Sequence, residues 1–191
     1  MRITGTEDLR VQKTVEAIRS TFEQMLLERE FDKITVKELC ERARINKKTF
    51  YRYYPALEDL LAELQAELSQ DYLERTRNLS LPEDIPAITE AFFRYSEEKG
   101  PLYEAITSQA RFDSIRQPMM DRVMDATPGA NKQGDPEHAY LITFITSTTM
   151  GIYREWIASG KDLPVESVIE LTTTLLCEGA RGLRPAGKRA R

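Results

Sequence analysis

Seven basic side chains crowd into residues 33–54: Lys33, Lys37, Arg42, Arg44, Lys47, Lys48 and Arg52, against only Glu38 and Glu41. That local +5 lies in a chain of formal net charge −4, so the remainder carries −9, although Arg181, Arg184, Lys188, Arg189 and Arg191 close the sequence. A short cationic segment on an acidic body suits the phosphate backbone of a nucleic acid, because counterion release rewards cations only where the duplex lies. On charge alone, a solvated helical face without a partner fits equally well. Other chemistries find little material. One histidine, His138, and two cysteines, Cys40 and Cys177, leave no set for a structural zinc site, a disulfide framework or most catalytic triads. Neither Gly160-Lys161 nor Gly187-Lys188 sits in a phosphate-binding loop. No catalytic residue, metal or cofactor is expected, and the chain does not read as an enzyme.

The elements that must position these cations are helical. Val11, Val15, Ile18, Phe22, Met25 and Leu26 form one stripe of 3.6-residue period, predicting a first helix that ends near Arg29. Phe31-Asp32-Lys33-Ile34 makes a short connection whose Phe31 and Ile34 can dip into the same core. Thr35-Val36-Lys37-Glu38 is a capping box, so a second helix starts there, with Val36, Leu39, Cys40 and Ala43 on one side. Arg44-Ile45-Asn46 interrupts it, and Asn46 serves as a fresh N-cap. On the third helix Lys47, Lys48, Tyr51 and Arg52 share a face, while Phe50 and Tyr54 fall opposite. Pro55 stops this helix, since it lacks an amide hydrogen and disfavours helical geometry in the residue before it.

Two short helices joined by a three-residue turn, the second presenting basic side chains, form a helix-turn-helix, whose second helix enters the major groove. The run Ile34 to Leu61, ITVKELCERARINKKTFYRYYPALEDLL, resembles the DNA-binding motif of the TetR family of bacterial repressors, and the likeness covers about residues 10 to 70. Lys47 and Lys48, in the first turn of the recognition helix, face guanine acceptors or phosphates. The resemblance implies that Thr49 and Tyr51 touch phosphate or a thymine methyl and that Tyr53 touches the backbone, while Arg52 suits either role. Phe50 and Tyr54 read as core. Thr35 and Lys37 form either a phosphate clamp at the start of the second helix or a plain cap beside a solvated lysine. The sequence departs from the family twice: Arg44 stands where a turn glycine is common, and Leu57 where a lysine opens the fourth helix.

Beyond Pro55 the pattern stays helical. The expected helices are Ala56–Arg77, Ile85–Lys99, Pro101–Thr107, Ser108–Ala126 (kinked or split at Pro118), Glu137–Ala158 and Pro164–Gly182, with a loop at Pro128–Pro136. The fold class is therefore all-α with about nine helices, divided into a DNA-binding domain at 1–55 and a larger domain at 56–191. The resemblance implies that the larger domain binds a small-molecule effector and forms a homodimer through its last two helices. A pocket there would draw on Phe92, Tyr95, Tyr103, Phe112, Met120, Phe144, Tyr153 and Trp156, an aromatic set that ordinary core packing also explains. His138 reads as a surface residue.

At 191 residues and 41% hydrophobic the chain lies in the ordinary globular range. The first ten residues hold no apolar run of secretory length, and the longest uncharged stretch, Ala139–Tyr153, is too short and too polar to span a bilayer. A cytoplasmic, membrane-free location is expected. The function expected is that of a ligand-responsive repressor that binds double-stranded DNA at a palindromic operator as a homodimer. The alternative is a regulator of the same build that acts through protein partners, as a coactivator does, without its own operator or effector.

Overall fold

The computed structural model describes residues 9–130 and 135–179. The end of the last expected helix from residue 180, the basic tail beyond it, and residues 131–134 of the loop lie outside the described residues. The described residues form nine α-helices and two 3-10 turns, with no strand among them. Contacts gather the chain into two units, Met1–Leu68 and Ser69–Arg191.

In the first unit α1 (Leu9–Glu28) buries Val15, Ile18, Phe22, Met25 and Leu26 of the predicted stripe and leaves Val11 half-buried. A 3-10 turn at Phe31–Lys33 follows, with Phe31 set edge-on to Phe22 and Ile34 buried. In α2 (Val36–Arg42) the Glu38 amide donates to Thr35 Oγ1 at 3.2 Å. Only this half of the capping box forms. The Glu38 carboxylate turns instead to Arg29 (2.9 Å) and Arg42 (3.0 Å), while Arg42 also grips Glu28 at 2.7 and 2.8 Å. Two arginines and two glutamates thus latch the end of α1 to α2. The hydrogen bond from Arg42 holds the Glu28 carboxyl below the ordinary glutamate range. A carboxyl depressed in the folded state contributes stability above its unfolded value, about 4.3, and loses it as pH falls through the folded value. Glu28→Gln is therefore expected to melt below the parent at pH 7, with the gap closing as the pH drops under about 4. Thermal melts across that range, at low salt because the pair is exposed, check it.

The turn between α2 and α3 (Lys47–Tyr53) places Arg44 at φ 55°, the left-handed region. A non-glycine residue there costs on the order of 1–2 kcal/mol. Arg44→Gly is expected to raise stability by about 0.5–1 kcal/mol after glycine's own entropy is deducted, read as a higher melting midpoint. Asn46 caps α3, accepting from the Thr49 amide at 2.8 Å and from its hydroxyl at 3.0 Å. Tyr54, before Pro55, is extended at φ −131°, ψ 115°, and ends the helix where proline demands. Phe50 and Tyr54 are buried with Leu57, Leu60 and Leu64 of α4 (Leu57–Thr76). The Leu57 departure thus fills core space.

The second unit holds α5 (Ile85–Lys99), α6 (Pro101–Ser108), α7 (Asp113–Ala126), α8 (Pro136–Ala158) and α9 (Val165–Glu178). α9 packs on both α5 and α8, and α6 packs on α5, α7 and α8. Aromatic rings fill the centre: Phe92, Phe93, Tyr153 and Trp156 stack edge-on or tilted, with Tyr95 against Tyr103. The Tyr153 hydroxyl pairs with Ser96 and with Thr107 (3.0 Å).

Two expectations are corrected here. The predicted helix Ser108–Ala126 breaks at Gln109–Phe112, and Pro118 lies inside α7. The break turns Phe112 into the core, and Arg116 of α7 donates to the carbonyls of Ile106 (3.0 Å) and Gln109 (3.2 Å) around the end of α6, the second of which also accepts from the Phe112 amide. His138 is buried, its Nε2 against the Gly129 carbonyl at 2.5 Å. Gly129, at φ 78°, is obligatory in this loop: a Cβ there would stand 1.9 Å from the Leu81 carbonyl oxygen.

Candidate nucleic-acid interface

The recognition helix α3 is short because Asn46 opens it and Pro55 closes it, and within that span the side chains are sorted by burial. Phe50 is fully buried and Tyr54 nearly so, which fixes the rotation of the helix about its axis. Lys47, Lys48, Tyr51 and Arg52 consequently face solvent, Tyr51 at 53% exposure. The Tyr51 ring lies edge-on to Phe50 with centroids 5.5 Å apart, so it projects from a supported position. Thr49 is half-buried beside its cap, and Tyr53 is half-buried at the helix end. Thr35 is exposed, its oxygen committed to the Glu38 amide, and Lys37 is exposed 4.0 Å from Glu41.

The electrostatics sort the seven cations of the basic segment. Arg42 is spent on Glu28 and Glu38, Lys33 pairs with Glu30 at 3.1 Å, and Lys37 stands beside Glu41. Arg44, Lys47, Lys48 and Arg52 take part in no ion pair of the described residues. They are the four positive charges left for an anion, and all four lie between the end of α2 and the end of α3. Sequence reasoning counted Arg44 in the basic segment and as a departure at the turn, but gave it no DNA contact. Its free charge becomes visible once Arg42 is seen to be consumed internally.

The second unit holds a partly open cavity of about 90 Å³ and, beside it, a wider groove of about 880 Å³ between α7 and α8. Phe92, Tyr103 and Met120 of the expected pocket set line the cavity. Tyr95, Phe112, Tyr153 and Trp156 are buried without lining it, and Phe144 is 47% exposed on α8. Tyr72, Thr89 and the methionines Met124 and Met150 complete walls that the sequence did not single out. Among the described residues no group of three or more His, Cys, Asp or Glu side chains could hold a metal ion, and no helix is long and apolar enough to cross a membrane.

Comparison with known proteins agrees with this geometry. Residues 18–64, which hold most of α1, all of α2 and α3 and the start of α4, match the family described as bacterial regulatory proteins, tetR family. No curated protein matches the chain in sequence. In fold, the chain is similar to a TetR transcriptional regulator from Streptococcus agalactiae 2603V, at TM-score 0.62 and 22% identity, covering 87% of this chain and 95% of that one. It is likewise similar to a TetR-like regulator from Rhodococcus sp. RHA1, at TM-score 0.60 and 19% identity over 95% and 100% of the two chains. The regulator FadR from Bacillus subtilis, solved with stearoyl-CoA, gives TM-score 0.59 at 16% identity over 86% and 98%. Residues 18–64 thus carry the DNA-binding sequence of the tetR family, with four unspent cations on its outward face, and the chain shares the fold of the solved TetR-type regulators.

Proposed function

We propose that the protein is a ligand-responsive repressor that binds a palindromic operator as a homodimer. The observation that carries the DNA half is the exposed, unpaired set Lys47, Lys48 and Arg52 on one face of α3, held there by buried Phe50 and Tyr54. Lys47 and Lys48 meet guanine acceptors or phosphates, and Arg52 does either. Thr49, Tyr51 and Tyr53 line the same surface, and Thr35 and Lys37 flank it at the start of α2. The functional boundary falls at Pro55, with 1–55 reading DNA and 56–191 sensing and pairing.

One recognition helix reads few bases, so a second must lie about 34–36 Å away to meet the next major groove. α8 supports pairing by exposing Tyr140, Leu141 and Phe144, apolar side chains that a second copy would cover in a two-fold interface. The cavity of the second unit supports the sensing half: Tyr72 on α4 is part of its wall, so a guest that prefers a shifted α4 changes the conformer population by as much as that preference.

Selection of duplexes from a randomised pool, followed by sedimentation of the free protein and of its complex, tests the reading. The expected result is an inverted repeat bound by two chains, with a reporter behind that repeat silenced until effector is added. A monomer indifferent to every duplex sinks it.

A further inference from the structure

The cavity of the second unit has an unusual polar inventory. None of its fifteen lining residues is charged. Three lining threonines have spent their hydroxyl hydrogens on their own helices: Thr127 donates to Val123 O at 2.7 Å, Thr146 to Ile142 O at 2.9 Å and Thr149 to Ile145 O at 2.8 Å. Three others have not. Tyr72, Thr89 and Tyr103 are 8%, 3% and 7% exposed, all line the cavity, and their hydroxyls make no hydrogen bond among the described residues. No fully buried side-chain polar atom among the described residues lacks a partner, so these three hydroxyls open onto the cavity and are free to donate to whatever fills it.

We infer that this cavity takes a compact, uncharged, apolar molecule carrying one hydrogen-bond acceptor, which the hydroxyls of Tyr72, Thr89 and Tyr103 hold. The inference rests on the effector reading above and names the chemical class of that effector. Burial pushes the hydroxyls of both Tyr72 and Tyr103 upward, so they remain protonated donors at any working pH. The complementary group is thus an acceptor, such as a carbonyl or ether oxygen. It is uncharged because the wall supplies no counter-charge to offset desolvation of an ion. An apolar cavity of about 150 Å³ admits benzene, so a ring-sized guest needs the wall to yield slightly. Met120, Met124 and Met150 line both cavity and groove and make up the adaptable side. The groove carries Arg154, which makes no ion pair among the described residues; it is the place where an anionic guest would lodge its charge instead.

The test is calorimetric titration of the full chain with three ring probes of similar size: cyclohexanone, methylcyclohexane and cyclohexanecarboxylate. Each is measured against the parent, Tyr103→Phe, the Tyr72→Phe/Tyr103→Phe double variant and Arg154→Ala. Tyr103→Phe is expected to weaken cyclohexanone roughly 5- to 10-fold, and the double variant further, while methylcyclohexane is unchanged in both. Melting curves of the phenylalanine variants show whether the core is intact, and the unchanged methylcyclohexane affinity confirms that the cavity keeps its shape. Equal loss of both neutral probes, no binding of cyclohexanone, or tight carboxylate binding that Arg154→Ala abolishes overturns the inference. The effector reading is judged separately, by whether a cell extract releases DNA from the parent protein. Release by an anionic fraction with cyclohexanone ignored defeats only the inference. Cyclohexanone bound as described, with no component of any extract moving DNA affinity, defeats only the effector reading.

Discussion

Replacing Lys47 and Lys48 together by alanine is expected to lower affinity for a specific duplex on the order of 100-fold, at about 1–1.5 kcal/mol for each lost contact. Both side chains are exposed and make no ion pair among the described residues, so the fold should not register the change, and the melting curve of the double variant should overlay the parent's. The single variants decide the question that charge leaves open. A lysine on phosphate, once removed, weakens all sequences alike and lowers the slope of log affinity against log salt by about 0.9. A lysine on guanine, once removed, relaxes preference at one base position. Filter binding or fluorescence anisotropy at several salt concentrations, on selected and scrambled duplexes, separates the two. An unchanged affinity in the double variant would remove α3 from the interface.

Phe50→Ala should cost about 3–5 kcal/mol, the usual toll for emptying a fully buried phenylalanine site. Small domains have only about 5–15 kcal/mol in total, and Phe50 sits in the smaller of the two units, so a large part of that unit's stability is at stake. The ring centroid lies 5.9 Å from that of Tyr54 and 5.5 Å from that of Tyr51, so its loss also frees the tyrosine that projects into solvent from α3. DNA binding should therefore fall with stability, in contrast to the lysine variants, where binding falls alone. Urea melts paired with anisotropy distinguish these two patterns, and Phe50→Leu should lie between parent and alanine on both axes.

The contrast between what periodicity reveals and what it hides is clear along this chain. Local signals served well where the cause was local: Thr35 and Asn46 cap the helices they were expected to cap, Pro55 ends α3, and the buried residues of α1 are members of the apolar stripe. Where the cause was tertiary, spacing was silent. The break before α7 depends on Phe112 entering the core and on Arg116 reaching carbonyls ten and seven residues back. His138 is buried because a carbonyl nine residues earlier comes to meet it. Aromatic rings that line a cavity and rings that merely fill a core recur at the same helical interval, so Phe92 and Tyr153 could not be told apart until the walls were assembled. Tyr72, Thr89 and Tyr103, from three separate helices, converge only in three dimensions.

The backward-bent backbone at Arg44 leaves the protein with competing interests at one position. Glycine there would relax the turn, yet it would also delete one of the four cations that no carboxylate neutralises. Variants enriched by heating alone should therefore drift toward glycine at 44 while their grip on nucleic acid slackens, whereas variants enriched for promoter occupancy should retain arginine and tolerate a lower denaturation temperature. A site where endurance and duty pull apart in this way can be recognised by running both enrichments on one library.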